Sequence, residues 1–335
     1  MLRFFKKFGL VGLILLMALV LTPIYGESWD FAVLGDCRPA CFGASIPPVY
    51  SRILEELNLI FPDMVFHTGD CVLVGNDEVQ SRRSFENFLG INQKLLPPLY
   101  IVPGNHDYNN PVNIKLYHQL ISPKPYYSID HKGCHFIMLN TELPGEIGEI
   151  KGKQLEWLKQ DLTKNQKAEM IFVFMHRAMF SELNPNFTKN LKDNFRSKEN
   201  RDMLAGLFTR FKVRSVFCAH EHLLSQKTIG GVTYVITGGA GAPLYRSPQR
   251  GGVYHYMLVE VNNGQAAISP YLPEDLFWSS SKDKGIEITF IGKGTILLGG
   301  IPLPSSETLE KLKINYARKR EHYPKAEIVL RNGKG

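Results

Sequence analysis

Leu99-Tyr100-Ile101-Val102-Pro103-Gly104-Asn105-His106-Asp107 runs from four apolar residues through a Pro-Gly break into three polar side chains capable of chemistry. The apolar run reads as a short buried strand and the break as its end. The same pattern recurs on both sides. Trp29–Gly35, apolar from Phe31 on, leads into Asp36. Asp63–His67 leads into Gly69-Asp70, Met170–Met175 ends at His176, and Val213–Cys218 runs into Ala219-His220-Glu221-His222. Between them, residues 49–60 (with Ile53, Leu57 and Ile60), 84–96, 154–162 and 201–211 carry helical spacing. Strands that alternate with helices predict βαβ units and an α/β fold. Residues 126–130 with 134–140, 223–229 with 232–237, and 254–261 with 265–269 read as strand pairs. No internal repeat is visible.

Ligands of open α/β sheets bind outside the carboxyl ends of the strands. Asp36, Asp70, Asn105, His176, His220 and His222 all occupy such ends, so distant parts of the chain can meet there. Two Asp, one Asn and three His make an N/O donor set suited to Mn, Fe or Zn. Two such ions about 3.5–4 Å apart can clamp an in-line phosphoryl displacement.

The blocks Gly35-Asp36-Cys37-Arg38, Gly69-Asp70, Gly104-Asn105-His106-Asp107, His176 and Ala219-His220-Glu221-His222, in this order and spacing, resemble the calcineurin-like metallophosphoesterase superfamily over about residues 29–270. The resemblance implies a four-layer αββα sandwich that hydrolyses phosphate esters with one or two divalent or trivalent transition-metal ions. By the same resemblance Asp70 would bridge two ions. Asn105, His176 and His220 would complete one site, and Asp36 and His222 would serve the other. A metal-bound hydroxide would attack, and His106 would protonate the leaving oxygen with its ring held by Asp107. A phosphodiesterase, or a metal-depleted binding or scaffold protein of the cell envelope, are the rival readings.

One position departs from the family pattern. A ligating His is expected where Arg38 stands, and a guanidinium stays protonated and cannot hold a cation. Leu73 occupies the position from which some branches supply a Tyr instead. Arg38 is therefore read either as a phosphate contact or as a salt-bridge partner of a nearby carboxylate such as Asp36. Arg177 is read as a phosphate contact or a surface residue. Cys37, Cys41 and Cys71 stand close to the Asp blocks, so a disulfide and free thiols are both open. Gly238-Gly239-Ala240-Gly241 reads as a loop that approaches the site or a plain turn, His255 as a possible pocket residue, and His67 as core.

Composition sets the outer limits. With 44% hydrophobic and 21% charged residues, disordered and collagen-like classes are excluded, and five Cys in 335 residues do not make a disulfide scaffold. The formal charge of +7 sits at the two ends: residues 27–283 hold 26 bases against 27 acids. No nucleic-acid-binding motif accompanies that near-neutral middle. Basic residues 1–7, the apolar run Phe8–Leu21 and the break at Thr22-Pro23 form a signal-peptide pattern or, if uncleaved, a membrane anchor. Either way the rest of the chain, 27–275 as the main domain, is expected outside the cytoplasm. Residues 276–283 are expected as a linker. Residues 284–335 are expected as a small ββαβ appendage, weakly similar to the periplasmic domain of ExbD/TolR proteins and able to touch a membrane surface or an envelope protein.

Overall fold

A computed structural model describes residues 28–183, 194–273, 276–281, 285–290 and 330–332. β1 (Trp29–Leu34), β2 (Met64–His67) and β3 (Leu99–Ile101) are parallel neighbours, and β10 (Tyr256–Asn262) and β11 (Gln265–Tyr271) add antiparallel strands beyond β1. The resulting sheet has the order β11-β10-β1-β2-β3. A second sheet has the order β4-β5-β6-β7-β9-β8, from β4 (Tyr127–His131), β5 (Cys134–Met138), β6 (Ile171–Phe174), β7 (Ser215–Cys218), β8 (Leu224–Ile229) and β9 (Val232–Thr237). Its centre, β5 to β9, is parallel and its two edges are antiparallel.

Side-chain alternation explains the layering. In β1, Phe31 and Val33 point to the second sheet, while Ala32 and Leu34 point to the helices. Phe66, Phe136, Phe172, Phe174 and Phe217 fill the space between the sheets, with Phe66 and Phe174 stacked 4.1 Å apart. On one outer face, Ile53, Leu54 and Leu57 of α1 (Pro48–Ile60) and Phe85 and Phe88 of α2 (Glu78–Asn92) cover the first sheet. On the other, Leu158 and Leu162 of α4 (Gly152–Lys164) and Leu204 and Phe208 of α5 (Lys198–Arg210) cover the second. The result is the expected four-layer αββα sandwich.

Two helix boundaries were set by caps rather than by apolar spacing. α2 begins at Glu78, not near 84, because the Asp77 carboxylate accepts the Gln80 N–H at 2.7 Å. α3 (Pro111–Leu120) has no counterpart among the expected helices; Asn110 caps it through the Asn113 N–H at 3.0 Å, and Pro111 opens its first turn. Residues 276–281, expected as linker, instead form β12 (Leu276–Ser281), which continues the apolar run Leu276-Phe277-Trp278 and pairs antiparallel with β13 (Gly285–Phe290). β14 (Leu330–Asn332) joins β13 in parallel. The expected signal or anchor segment and most of the ββαβ appendage lie outside the described residues.

A buried histidine ties the second sheet to its helices. His135 Nδ1 meets Asp130 of β4 at 2.6 Å, and Nε2 meets Asp161 of α4 at 2.8 Å. Burial pulls its pKa down, but the bonds to Asp161 and Asp130 outweigh that and hold it above the ordinary value. A raised folded pKa means the stabilisation is complete below the unfolded value, about 6.5, and fades as pH rises through the folded one. The stability difference between the natural protein and His135→Gln, measured by urea unfolding, is therefore expected to shrink as pH rises above about 6.5. A constant difference would contradict the clamp.

Candidate metal centre

The loops after β1 and β2 are laced together. Asp36 donates its N–H to the Gly69 carbonyl at 3.0 Å, and Cys37 and Arg38 both donate to the Asp70 carbonyl, at 3.1 and 3.0 Å. Asp36, Asp70 and His220 all adopt left-handed backbone, with φ of 60°, 54° and 68°. Such conformations cost roughly 1–3 kcal/mol each and persist only where the surroundings enforce them. They turn each side chain back across the end of its own sheet. Gly104 permits the closest approach, since a Cβ there would collide with the backbone and carboxylate of Asp70. A Cβ on Gly238 would strike the Asp36 carboxylate, so the glycine loop 238–241 does reach the site.

Donor atoms gather in two adjoining pockets. In the first, His176 Nε2 lies 3.0 Å from Asn105 Oδ1, 3.1 Å from His220 Nδ1 and 3.4 Å from Asp70 Oδ1. His176 Nδ1 faces the Thr68 carbonyl at 2.9 Å. A carbonyl only accepts, so Nδ1 donates there and Nε2 is the atom that faces Asn105 and Asp70. Burial lowers the pKa of His220 well below the usual imidazole value, which favours the ring form that ligates. Separations of about 3.0–3.4 Å are those of atoms sharing one ion at roughly 2.1 Å.

In the second pocket, donor atoms of Asp36, Asp70 and His222 all lie within 4.8 Å of one another. Asp36 is fully buried, and neither oxygen makes a hydrogen bond of normal geometry among the described residues. Burial, and then repulsion from Asp70, push its pKa well above the carboxylate range. His222 donates from Nδ1 to the Pro243 carbonyl at 2.6 Å, which points its bare Nε2 at Asp36, 3.9 Å away. Burial lowers the His222 pKa to about 4, so the ring is neutral near pH 7. A buried carboxyl group beside an unprotonated imidazole nitrogen fits a cation. All six side chains picked out in the sequence therefore come together around two pockets joined by Asp70. With their N/O donors they suit one or two transition-metal ions.

The three remaining expected residues are placed less uniformly. His106 sits at the mouth, its side chain 30% exposed, with its backbone N–H on Asp70 Oδ1 at 2.9 Å and its Nε2 3.9 Å from Asp70 Oδ2. Asp107 is not beside the His106 ring. Its two oxygens accept the Val72 N–H at 3.0 Å and the Gly104 N–H at 2.9 Å, so this carboxyl pins the loops that carry Asp70 and His106. The expectation that Asp107 orients His106 is corrected accordingly: the carboxylate facing that ring is Asp70. Arg38 pairs through Nε with Asp70 Oδ2 at 3.3 Å, not with Asp36.

Other residues near the site carry structure. Arg177, offered above as a phosphate contact or surface residue, forms a buried two-point ion pair with Glu142, both bonds at 2.8 Å. Glu221, between the two ligand histidines, accepts from Ser181 Oγ and from the Glu182 and Leu183 N–H groups, fastening the loop after β6. Tyr245 escaped notice in the sequence, where no pattern marks it. Its ring stacks on His222 at 4.0 Å and 17°. Cys37 and Cys71 are buried free thiols, and Cys41 is an exposed one. Burial raises the pKa of both Cys37 and Cys71, which keeps them protonated. His67 and His255 are buried; His255 Nδ1 meets the Val253 carbonyl at 2.8 Å beneath Gly239.

Fold and donor set together define a metallohydrolase of the αββα class. The family model described as calcineurin-like phosphoesterase matches residues 30–224, more than half of the chain, and the chain belongs to that family. It is 28% identical over 158 residues to the serine/threonine-protein phosphatase CPPED1 of Rattus norvegicus, covering 44% of this chain and 48% of the relative. It is 24% identical over 218 residues to tartrate-resistant acid phosphatase type 5 of the same species, covering 56% and 63%. A match of 27% over 186 residues joins it to the cAMP/cGMP dual specificity phosphodiesterase MT0825 of Mycobacterium tuberculosis, over 54% of this chain and 56% of that one. These matches span about half to three-fifths of the relatives' own lengths. The structure of purple acid phosphatase PPD1 from yellow lupin superposes with a TM-score of 0.61 over 75% of this chain and 52% of that chain, at 16% identity, a likeness of fold.

If the second pocket exists to hold a cation, Asp36 is a burden without one. In chelator-treated protein, Asp36→Asn is expected to stabilise the fold by about 1–3 kcal/mol. After loading with Mn²⁺ or Zn²⁺ the order should reverse, with the natural protein gaining more in Tm. Thermal unfolding of both proteins with and without metal reads this out, and an unchanged order would contradict the assignment.

Proposed function

We propose that the chain is an exported, metal-dependent phosphoric ester hydrolase in which His106 is the general acid. The observation that carries this reading is the convergence of buried oxygen and nitrogen donors from Asp36, Asp70, Asn105, His176, His220 and His222, with the partly exposed His106 at the opening. When bound, the cations supply charge neutralisation at the phosphate and a water acidified toward neutral pH, the nucleophile of this class of reaction. The protein's own groups do the rest. The Asp70 backbone and carboxylate hold the pockets together. The His106 backbone bond to Asp70 fixes the ring where a leaving oxygen would emerge. Burial lowers the His106 pKa, so its protonated form is a stronger acid, and an arriving phosphate favours that form.

The names of the relatives, phosphatases and a phosphodiesterase, support an ester of phosphate as substrate. Export rests on the basic and apolar pattern of residues 1–26, and contact with a membrane surface or an envelope protein rests on the basic surplus of residues 284–335.

Protein expressed with its own residues 1–26 and recovered from outside the cytoplasm tests the proposal. Elemental analysis and aryl phosphate hydrolysis should show metal and activity lost together in Asn105→Ala and His176→Ala. His106→Ala should keep its metal and lose about 10²–10⁴-fold in kcat. Undiminished kcat in His106→Ala would overturn the general acid. No turnover in any metal-loaded protein would favour the scaffold reading, and recovery only from the cytoplasm would overturn export.

A further inference from the structure

We propose that Arg38 reads the charge of the substrate phosphate and directs the site toward phosphate monoesters in their dianionic form. The inference rests on the hydrolase reading above and adds the substrate class to it. Arg38 stands where the family pattern expects a neutral imidazole, so this chain carries one more fixed positive charge inside the site. A guanidinium remains charged at any working pH.

Both ends of Arg38 are tied. Its backbone N–H bonds to the Asp70 carbonyl at 3.0 Å, its Nε to Asp70 Oδ2 at 3.3 Å and its Nη1 to the Pro39 carbonyl at 3.2 Å. Tyr245, stacked on His222, stands on another side, close enough for Arg38 to pull on its phenol. The side chain is 12% exposed, against 2% for Asp70. Arg38 therefore forms part of the wall between the carboxylates and solvent. His106 Nε2 faces the same Asp70 oxygen at 3.9 Å. Two nitrogen donors thus flank one carboxylate oxygen at the opening, which is where a phosphate spanning them would lie.

Arg177 shows what a purely structural arginine looks like in this protein. It meets Glu142 with two bonds of 2.8 Å, and both side chains are about 95% or more buried. Arg38 instead offers its carboxylate a single longer contact, on the solvent side of the pockets.

The chemistry of the two ester classes then decides. A monoester above its second pKa, near 6, carries two negative charges, and a diester carries one. A monoester also has three unesterified oxygens and a diester two, which leaves one more for a planar guanidinium fork. A neutral imidazole at this position would not make that distinction.

The test compares p-nitrophenyl phosphate with bis(p-nitrophenyl) phosphate at saturating Mn²⁺, using natural protein, Arg38→Gln and Arg38→Lys. Metal content is checked by elemental analysis. Calorimetry at about pH 8 compares binding of inorganic phosphate, then mostly dianionic, with the monoanion dimethyl phosphate. Arg38→Gln is expected to lose about 10- to 100-fold in kcat/KM for the monoester and a similar factor in phosphate affinity. The diester and dimethyl phosphate should lose at least about fivefold less than the monoester and inorganic phosphate, and Arg38→Lys should recover part of that difference. Equal losses for both esters, or phosphate affinity indifferent to Arg38, would overturn the inference while leaving the hydrolase reading intact. Phosphate binding that depends on Arg38 in a protein that hydrolyses neither ester would overturn the hydrolase reading and keep the charge recognition.

Discussion

Asp70 is the carboxylate on which the whole centre turns. Oδ1 accepts the His106 N–H and lies 3.4 Å from His176 Nε2; Oδ2 meets Arg38 and faces His106. Its backbone carbonyl takes two more N–H groups from the Asp36 loop. Beside it stands Asp36, buried with no hydrogen bond of normal geometry on either oxygen. Burial pushes the Asp70 pKa up, but His176, His106 and Arg38 together hold it below the carboxylate range, whereas Asp36 rises. Two neighbouring carboxylates with such different environments make sense around positive charge. Arg38 contributes one such charge, and the remaining donors leave room for metal.

The rest of the fold bears on this point by keeping strand ends rigid. Aromatic rings between the two sheets, such as Phe66 on Phe174, lock the strands from which Asp70 and His176 emerge. Beyond the strand ends, Asp36, Asp70 and His220 sit in left-handed backbone that isolated residues avoid. Asp107 reinforces the arrangement from behind by accepting N–H groups from the loops of both Asp70 and His106. The strain is local, and a well-packed sandwich is what lets it persist. The packed strands and laced loops thus hold the donors together.

Much of this was legible in the chain itself, because it depends on order and chemistry. Apolar runs that each end in Asp, Asn or His announce strands with donors at their carboxyl ends, and the six donors so identified do meet. The unbroken apolar run Phe31-Ala32-Val33-Leu34 is consistent with a strand buried on both faces. What was not legible depends on contacts made only in space. The partner of Arg38 is Asp70 rather than Asp36 because two loops are laced by backbone bonds that no spacing encodes. Asp107 turned out to pin backbone because its acceptors face Val72 and Gly104, not the neighbouring ring. Tyr245 belongs to a loop whose approach to His222 leaves no periodic trace. The helix at Pro111 was missed because its signal is a cap followed by proline, while its apolar face is short.

Anomalous X-ray scattering from crystals grown with Mn²⁺ tests the central claim most directly. The account predicts a peak within about 2.0–2.3 Å of Asp70 and of donors from at least one pocket, either His176, His220 and Asn105 or Asp36 and His222. Well-ordered crystals with no peak at Asp70, and with the six side chains instead joined to one another or to water through ordinary hydrogen bonds, would contradict it.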